Sequence, residues 1–218
     1  VSRAAVVALA IVALLLGART ARADGDPLAR VRTAIDEIHY EQARDLIEEA
    51  IRGGTLRPDR IVDAYRLAGT IAIVLDDAAA EDHFRRALSV DPSATLPEGS
   101  APRLTKRFER ARAFIAERGA LRVTVGESVG IVSVTIEHDT MKLVRVVALR
   151  HRRGEVTHEA APRVTLELPP DSATIAVELR DEHGNVLVEI FADRFAQATP
   201  PATTPAAVPL YRMPVVWA

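Results

Sequence analysis

AEDHFRRALSVDP, residues 80–92, sets a small residue, a large aromatic and a second small residue on one helical face: Ala80, Phe84 and Ala87. The i, i+4, i+7 spacing stacks them on one side of a helix. Asp91-Pro92 then ends it, because proline has no N–H for the next helical bond. Upstream, a long helix is expected from about Asp59 to Leu75, carrying Leu67, Ala68 and Ile71, with a bend at Asp76-Asp77. Small residues let two helices approach closely, and Phe84 fills the space beyond them.

The same pattern occurs once earlier. YEQARDLIEEAI, residues 40–51, superposes Ala43 on Ala80, Ile47 on Phe84 and Ala50 on Ala87, an offset of 37 each time. The second unit, with Leu67, Ala68, Ile71, Ala80, Phe84, Ala87 and Pro92 in order, resembles a tetratricopeptide repeat, whose usual period is about 34 residues. The first departs from the family, with Arg30 and Val31 where a leucine and a small residue are usual. An ordinary pair of helical hairpins is the alternative. The resemblance covers Pro27 to Pro92 and implies stacked helix pairs with a concave, partner-binding groove. From helical phase, Asp63, Arg66 and Thr70 are the exposed first-helix residues expected to line it.

The helical pattern runs from Pro27 to about Ile115. Leu28, Val31, Ile35 and Ile38 recur at helical spacing, as do Ala43, Leu46, Ile47, Ala50 and Ile51; Gly53-Gly54 supplies a stop and LRPDR a connector. Two repeats bury too little without a stacked neighbour. SAPRLTKRFERARAFIAERG provides a capping helix, with Ser100 able to cap, Pro102 in the first turn and Leu104, Phe108, Ala111 and Ile115 on one face. Arg103, Lys106, Arg107 and Arg110 form the opposite face, read either as a basic patch or as a solvated surface.

At Gly119 the period changes to two. ALRVTVG, IVSVTIEH, LVRVVALRH, RVTLELP and TIAVELRDEHGNVLVEI are β-branched alternations broken by turns, and DEHGN reads as a hairpin turn. Short strands at such spacing predict a small antiparallel β-sandwich of immunoglobulin type, here without a cysteine pair or core tryptophan. The fold expected is therefore α+β and multidomain. A tetratricopeptide-like helical part over 24–118 precedes an immunoglobulin-like sandwich over 119–195. A Pro/Ala/Thr-rich tail over 196–218 follows, too poor in buriable surface to fold.

Residues 1–23 read as a secretory signal peptide: Arg3, an apolar run from Ala4 to Leu16, and Ala21-Arg22-Ala23 before Asp24. An uncleaved anchor is the alternative, although the run is short of the ~20 residues that span a bilayer. Loss of Arg3, Arg19 and Arg22 would take the formal charge of −2 to −5. Neither value offers an electrostatic footprint for nucleic acid. The chain has no cysteine, which excludes disulfide staples, thiolate metal sites and cysteine nucleophiles.

The layout is similar to a group of secreted proteins of myxobacterial type. They carry a signal peptide, a short tetratricopeptide region, an immunoglobulin-like domain with a D-x-x-G-N turn, and often a membrane helix flanked by tyrosine and tryptophan. ALSVDPSATLPEGSAPRLTKRFERAR, LRDEHGNVLVEI and PLYRMPVVWA carry the likeness; the chain departs where the membrane helix would begin. The resemblance implies the bacterial cell envelope, periplasmic or secreted, and no activity.

No catalytic pattern emerges. His39, His83, His138, His151, His158 and His183 show none of the ligand spacings of zinc or calcium sites. On a strand, EHD would place only Glu137 and Asp139 on one face. GES at 126–128 lacks a nucleophile elbow, and no glycine-rich phosphate loop occurs. The carboxylate pairs Glu81-Asp82 and Asp181-Glu182 fall where solvated faces and turns are expected. Arg150, His151, Arg152 and Arg153 form the densest basic run, read as an anion contact or as a hairpin tip that discourages edge pairing. The expectation is a non-enzymatic envelope adaptor without cofactor or metal, holding a peptide or helix of another envelope protein in the repeat groove, with a tail able to touch a membrane surface. The alternative is a β-sandwich module binding a ligand or glycan, presented on a helical spacer. Few aromatics are available to stack on sugar.

Overall fold

The computed structural model describes residues 26–168 and 173–192. Residues 1–23, read as a signal peptide, and the Pro/Ala/Thr-rich stretch 196–218, with the expectations placed on them, lie outside the described residues. Five helices precede seven strands among the described residues: α1 Ala29–Asp36, α2 Tyr40–Arg52, α3 Pro58–Val74, α4 Ala80–Val90, α5 Pro102–Arg118, then β1 Arg122–Ser128, β2 Ile131–His138, β3 Val146–His151, β4 Gly154–Glu159, β5 Arg163–Glu167, β6 Thr174–Arg180 and β7 Val186–Phe191. The α+β order read from the change of period is thus present.

The residues of the opening stretch do the packing expected of them. Ala80, Phe84 and Ala87 are buried, and α4 ends at Val90 with Asp91 as its C-cap. Burying a side chain of this size contributes roughly 2–3 kcal/mol. Phe84 meets Phe108 of α5 edge to face, ring centroids 5.3 Å apart. Gly69 of α3 lies against the Phe84 ring so closely that a Cβ there would overlap it. Small size at Gly69 is thus what lets α3 and α4 approach. Each helix packs against the next along the chain, and α5 covers α4 through Phe108, Ala111 and Ile115.

Local details differ from the sequence reading. α1 stops at Asp36, because Ile38 sits in the left-handed region at φ 63° and is 72% exposed; it does not continue the helical stripe. The α5 N-cap is Ala101 rather than Ser100, whose hydroxyl donates to the Pro97 carbonyl. Asp139 lies past the end of β2 and accepts the N–H groups of Leu143 and Val144.

The strands form two antiparallel sheets of orders β1-β2-β5 and β4-β3-β6-β7. Alternate residues from both sheets enter one apolar cluster, Val132, Val134 and Leu166 from the first and Val147, Leu149, Val177 and Leu179 from the second. β4, GEVTHE, is an additional strand that the alternation did not reveal. It is solvent-facing along nearly its whole length, so no apolar period marks it. Arg152 and Arg153 occupy the β3–β4 hairpin tip, while Arg150 points into an ion-pair cluster on the sheet. Among the described residues no helix is long and apolar enough to cross a membrane.

His83 of α4 is largely buried, and its Nδ1 has no hydrogen-bond partner among the described residues. Burial, then the Arg86 guanidinium, lowers its pKa below 6.5; Asp82, Asp77 and Glu48 oppose this only partly. The unfolded chain therefore takes up the proton first as pH falls. The associated stability is fully present above the unfolded value near pH 6.5 and is lost as pH drops through the folded value. Urea midpoints at about pH 5.5 and about pH 7.5 should differ in the native chain. They should differ less in His83→Gln.

Candidate functional site: a cleft at the joint of helices and sheet

The joint is built from the DEHGN turn. Asp181 is buried, not solvated as the turn pattern suggested: Oδ1 accepts the N–H groups of His183 and Asn185, both at 2.9 Å. This Asx geometry fixes the turn and leaves the Asn185 amide to face the helices. Asn185 Oδ1 accepts the Leu56 N–H at 3.0 Å, and Nδ2 donates to the Ile51 carbonyl at 2.7 Å and to Asp181 Oδ2 at 2.9 Å. The Val186 N–H donates to the Leu56 carbonyl at 2.9 Å. Gly54, at φ 67°, closes the contact, since a Cβ there would overlap the His183 carbonyl oxygen. Tyr65 of α3 stands near this turn, and burial together with the Asp181 charge raises its phenol pKa to about 12.

A second clamp comes from Arg57, the extended residue before α3. Its guanidinium bridges Glu178 of β6, at 3.3 Å, and Glu189 of β7. Arg150 bridges the same two carboxylates at 3.2 and 2.8 Å, and Arg180 holds the other Glu178 oxygen at 2.7 Å. Burial raises the Glu178 carboxyl pKa, but Arg180, then Arg150 and Arg57, outweigh it and hold the carboxyl below its ordinary range.

Beside these clamps a cleft of about 670 Å³ opens. Pro58, Asp59, Val62, Asp63 and Arg66 of α3 form one wall, the segment from Val90 to Thr95 a second, and Leu187, Val188 and Glu189 of β7 the third. Asp63 and Arg66, chosen from helical phase, both line it. They are also committed internally: Arg66 donates to Asp63 at 2.9 Å and to the Thr95 carbonyl at 2.7 Å, while Arg32 of α1 reaches Asp63 at 3.2 Å. These bonds tie α1, α3 and the loop after α4 together, so the pair shapes the wall. Thr70 does not line the cleft; its hydroxyl donates to the Arg66 carbonyl one turn back.

Sequence reasoning missed Arg57, Asn185 and the β7 wall. The turn residues were visible as a turn, but nothing local to them signals a docking partner. Among the described residues, no three acidic or histidine side chains converge as metal ligands. Comparison with protein families, with curated proteins and with solved structures returns no match for this chain.

Proposed function

We propose that the chain is a non-enzymatic binding module of the bacterial cell envelope that holds a segment of another envelope protein in the cleft between its helices and its sheet. The observation that carries this reading is the cleft itself: an open, mixed polar and apolar groove whose α3 and β7 walls are joined by the Asn185 and Arg57 contacts and whose third wall is tied to α3 by the Arg66–Thr95 bond. A groove with prearranged walls spends little binding energy on ordering itself. The envelope location rests on the leader-like pattern of residues 1–23.

The reading carries the two fold assignments with it. A tetratricopeptide-like helical part is supported by the burial of Ala43, Ile47, Ala80, Phe84 and Ala87 and by helices that pack in chain order. An immunoglobulin-like sandwich is supported by the three- and four-stranded sheets sharing one apolar cluster, with β4 beside β3.

The test places a photocrosslinking amino acid at Asp59, Ser93 or Val188, inside the cleft, and at His158 on β4 as a control. In-cell irradiation should join one recurrent envelope protein to the cleft positions and not to the control. Equal capture from all four positions, or none from the cleft, would remove the reading.

A further inference from the structure

We propose that the occupant of the cleft is a basic, extended peptide that adds as a strand to the free edge of β7, an inference that rests on the cleft being the binding site. β7 ends the order β4-β3-β6-β7, so one side of its backbone faces away from the sheet. That side carries the start of a further strand: Leu56 accepts the Val186 N–H, and Arg57 continues extended at φ −90° and ψ 168°. Pro58 then turns the chain into α3. Past that point the edge from Leu187 to Glu189 borders the cleft. Among the described residues it has no backbone partner beyond β6 and Leu56.

Exposed edges invite pairing, and proteins blunt them with charges, proline or short strands. β4, at the other end of the sheet, is blunted by His158 and Glu159, while its Glu155 is held by Arg180. β7, VLVEIF, has one charge, and Glu189 is turned onto Arg57 and Arg150. The edge with the fewer free charges is therefore the one that borders the cleft, where α3 packs against the same strand. Main-chain bonds to such an edge supply affinity, and pockets for alternate side chains supply selectivity.

The side-chain chemistry follows from the walls. Val90 and Val188, both half-buried, supply the accessible apolar lining, above the buried Val62, Ala94 and Leu187. The rim is acidic. Asp59 is 76% exposed with only its neighbour Arg60 nearby at 3.5 Å, and Asp91 has no ion-pair partner among the described residues. The best fit is a strand with apolar residues toward Val90 and Val188 and lysine or arginine toward Asp59 and Asp91.

The probe is an end-blocked peptide of about seven residues, a typical strand length, alternating valine and lysine, titrated against the whole chain. Hydrogen exchange is followed at residues 186–191. Binding should slow exchange in that segment and weaken as salt rises from about 50 to about 300 mM. N-methylation of alternate peptide amides should weaken binding by at least about tenfold, and Asp59→Asn by about threefold. Three results would overturn strand addition: equal affinity for the N-methylated peptide, no slowing at 186–191, or full protection of that segment before the probe is added. If cleft crosslinks persist in cells alongside any of these, only the strand-addition mode falls. If the crosslinks are absent as well, the cleft reading falls with it.

Discussion

Gly54→Ala should lower the unfolding free energy by about 3 kcal/mol. The left-handed backbone costs an alanine roughly 1–2 kcal/mol. The remainder comes from position, because the new Cβ collides with the His183 carbonyl oxygen and neither backbone can yield without opening the joint. Opening it gives up the Asn185 bonds to Leu56 and Ile51, each contributing about 1 kcal/mol net. Gly99→Ala is the control. Gly99 has φ 75°, but a Cβ there meets nothing within 4 Å, so only the backbone cost of about 1 kcal/mol should appear. Urea denaturation of both variants checks the difference. In Gly54→Ala the helix signal and the exchange of strand amides should also cease to change together, since the joint is what makes the two parts unfold as one. Equal losses in the two variants would mean that the joint contributes nothing.

Glu178→Ala should cost about 2–3 kcal/mol. Glu178 is 1% exposed and receives three arginines, so its removal leaves Arg57 and Arg150 sharing Glu189 alone and Arg180 held only by Glu155. The loss stays below that of a fully enclosed ion pair because these guanidiniums are partly exposed and can turn toward water. The pH dependence has a definite sign. The folded carboxyl is held below its ordinary value of 4.5, so its contribution is present above that pH and is lost as pH falls through the lower, folded value. Wild-type stability should therefore decline below about pH 4.5, and Glu178→Gln should flatten part of that decline. Acid titrations monitored by circular dichroism measure it.

The contrast between these two sites shows where sequence reading succeeds. Ala80, Phe84, Ala87 and Pro92 are legible because their geometry is local: helical spacing puts them on one face, and proline ends the helix wherever the face points. The DEHGN turn is half legible. Its turn chemistry is local, but Leu56, which the Asn185 side chain engages, lies 129 residues away, and nothing in five residues specifies so distant a partner. β4 is illegible for the opposite reason, since only Val156 packs against the core and one apolar position makes no alternation. Asp63 and Arg66 were found as helix-surface residues, yet their roles depend on Arg32 and Thr95, contributed by other elements.

The wide separation of Leu56 from Asn185 also sets an order in time. During folding, α1 to α5 can assemble from near-neighbour contacts, which form quickly. The Leu56 amide and the Arg57 guanidinium reach their partners only by closing loops of more than a hundred residues, a slower event. The β6–β7 hairpin is the last of the described elements in the chain, and its docking completes the four-stranded sheet, the helix–sheet joint and the β7 wall of the cleft. A chain caught before that docking should therefore hold formed helices without a formed cleft.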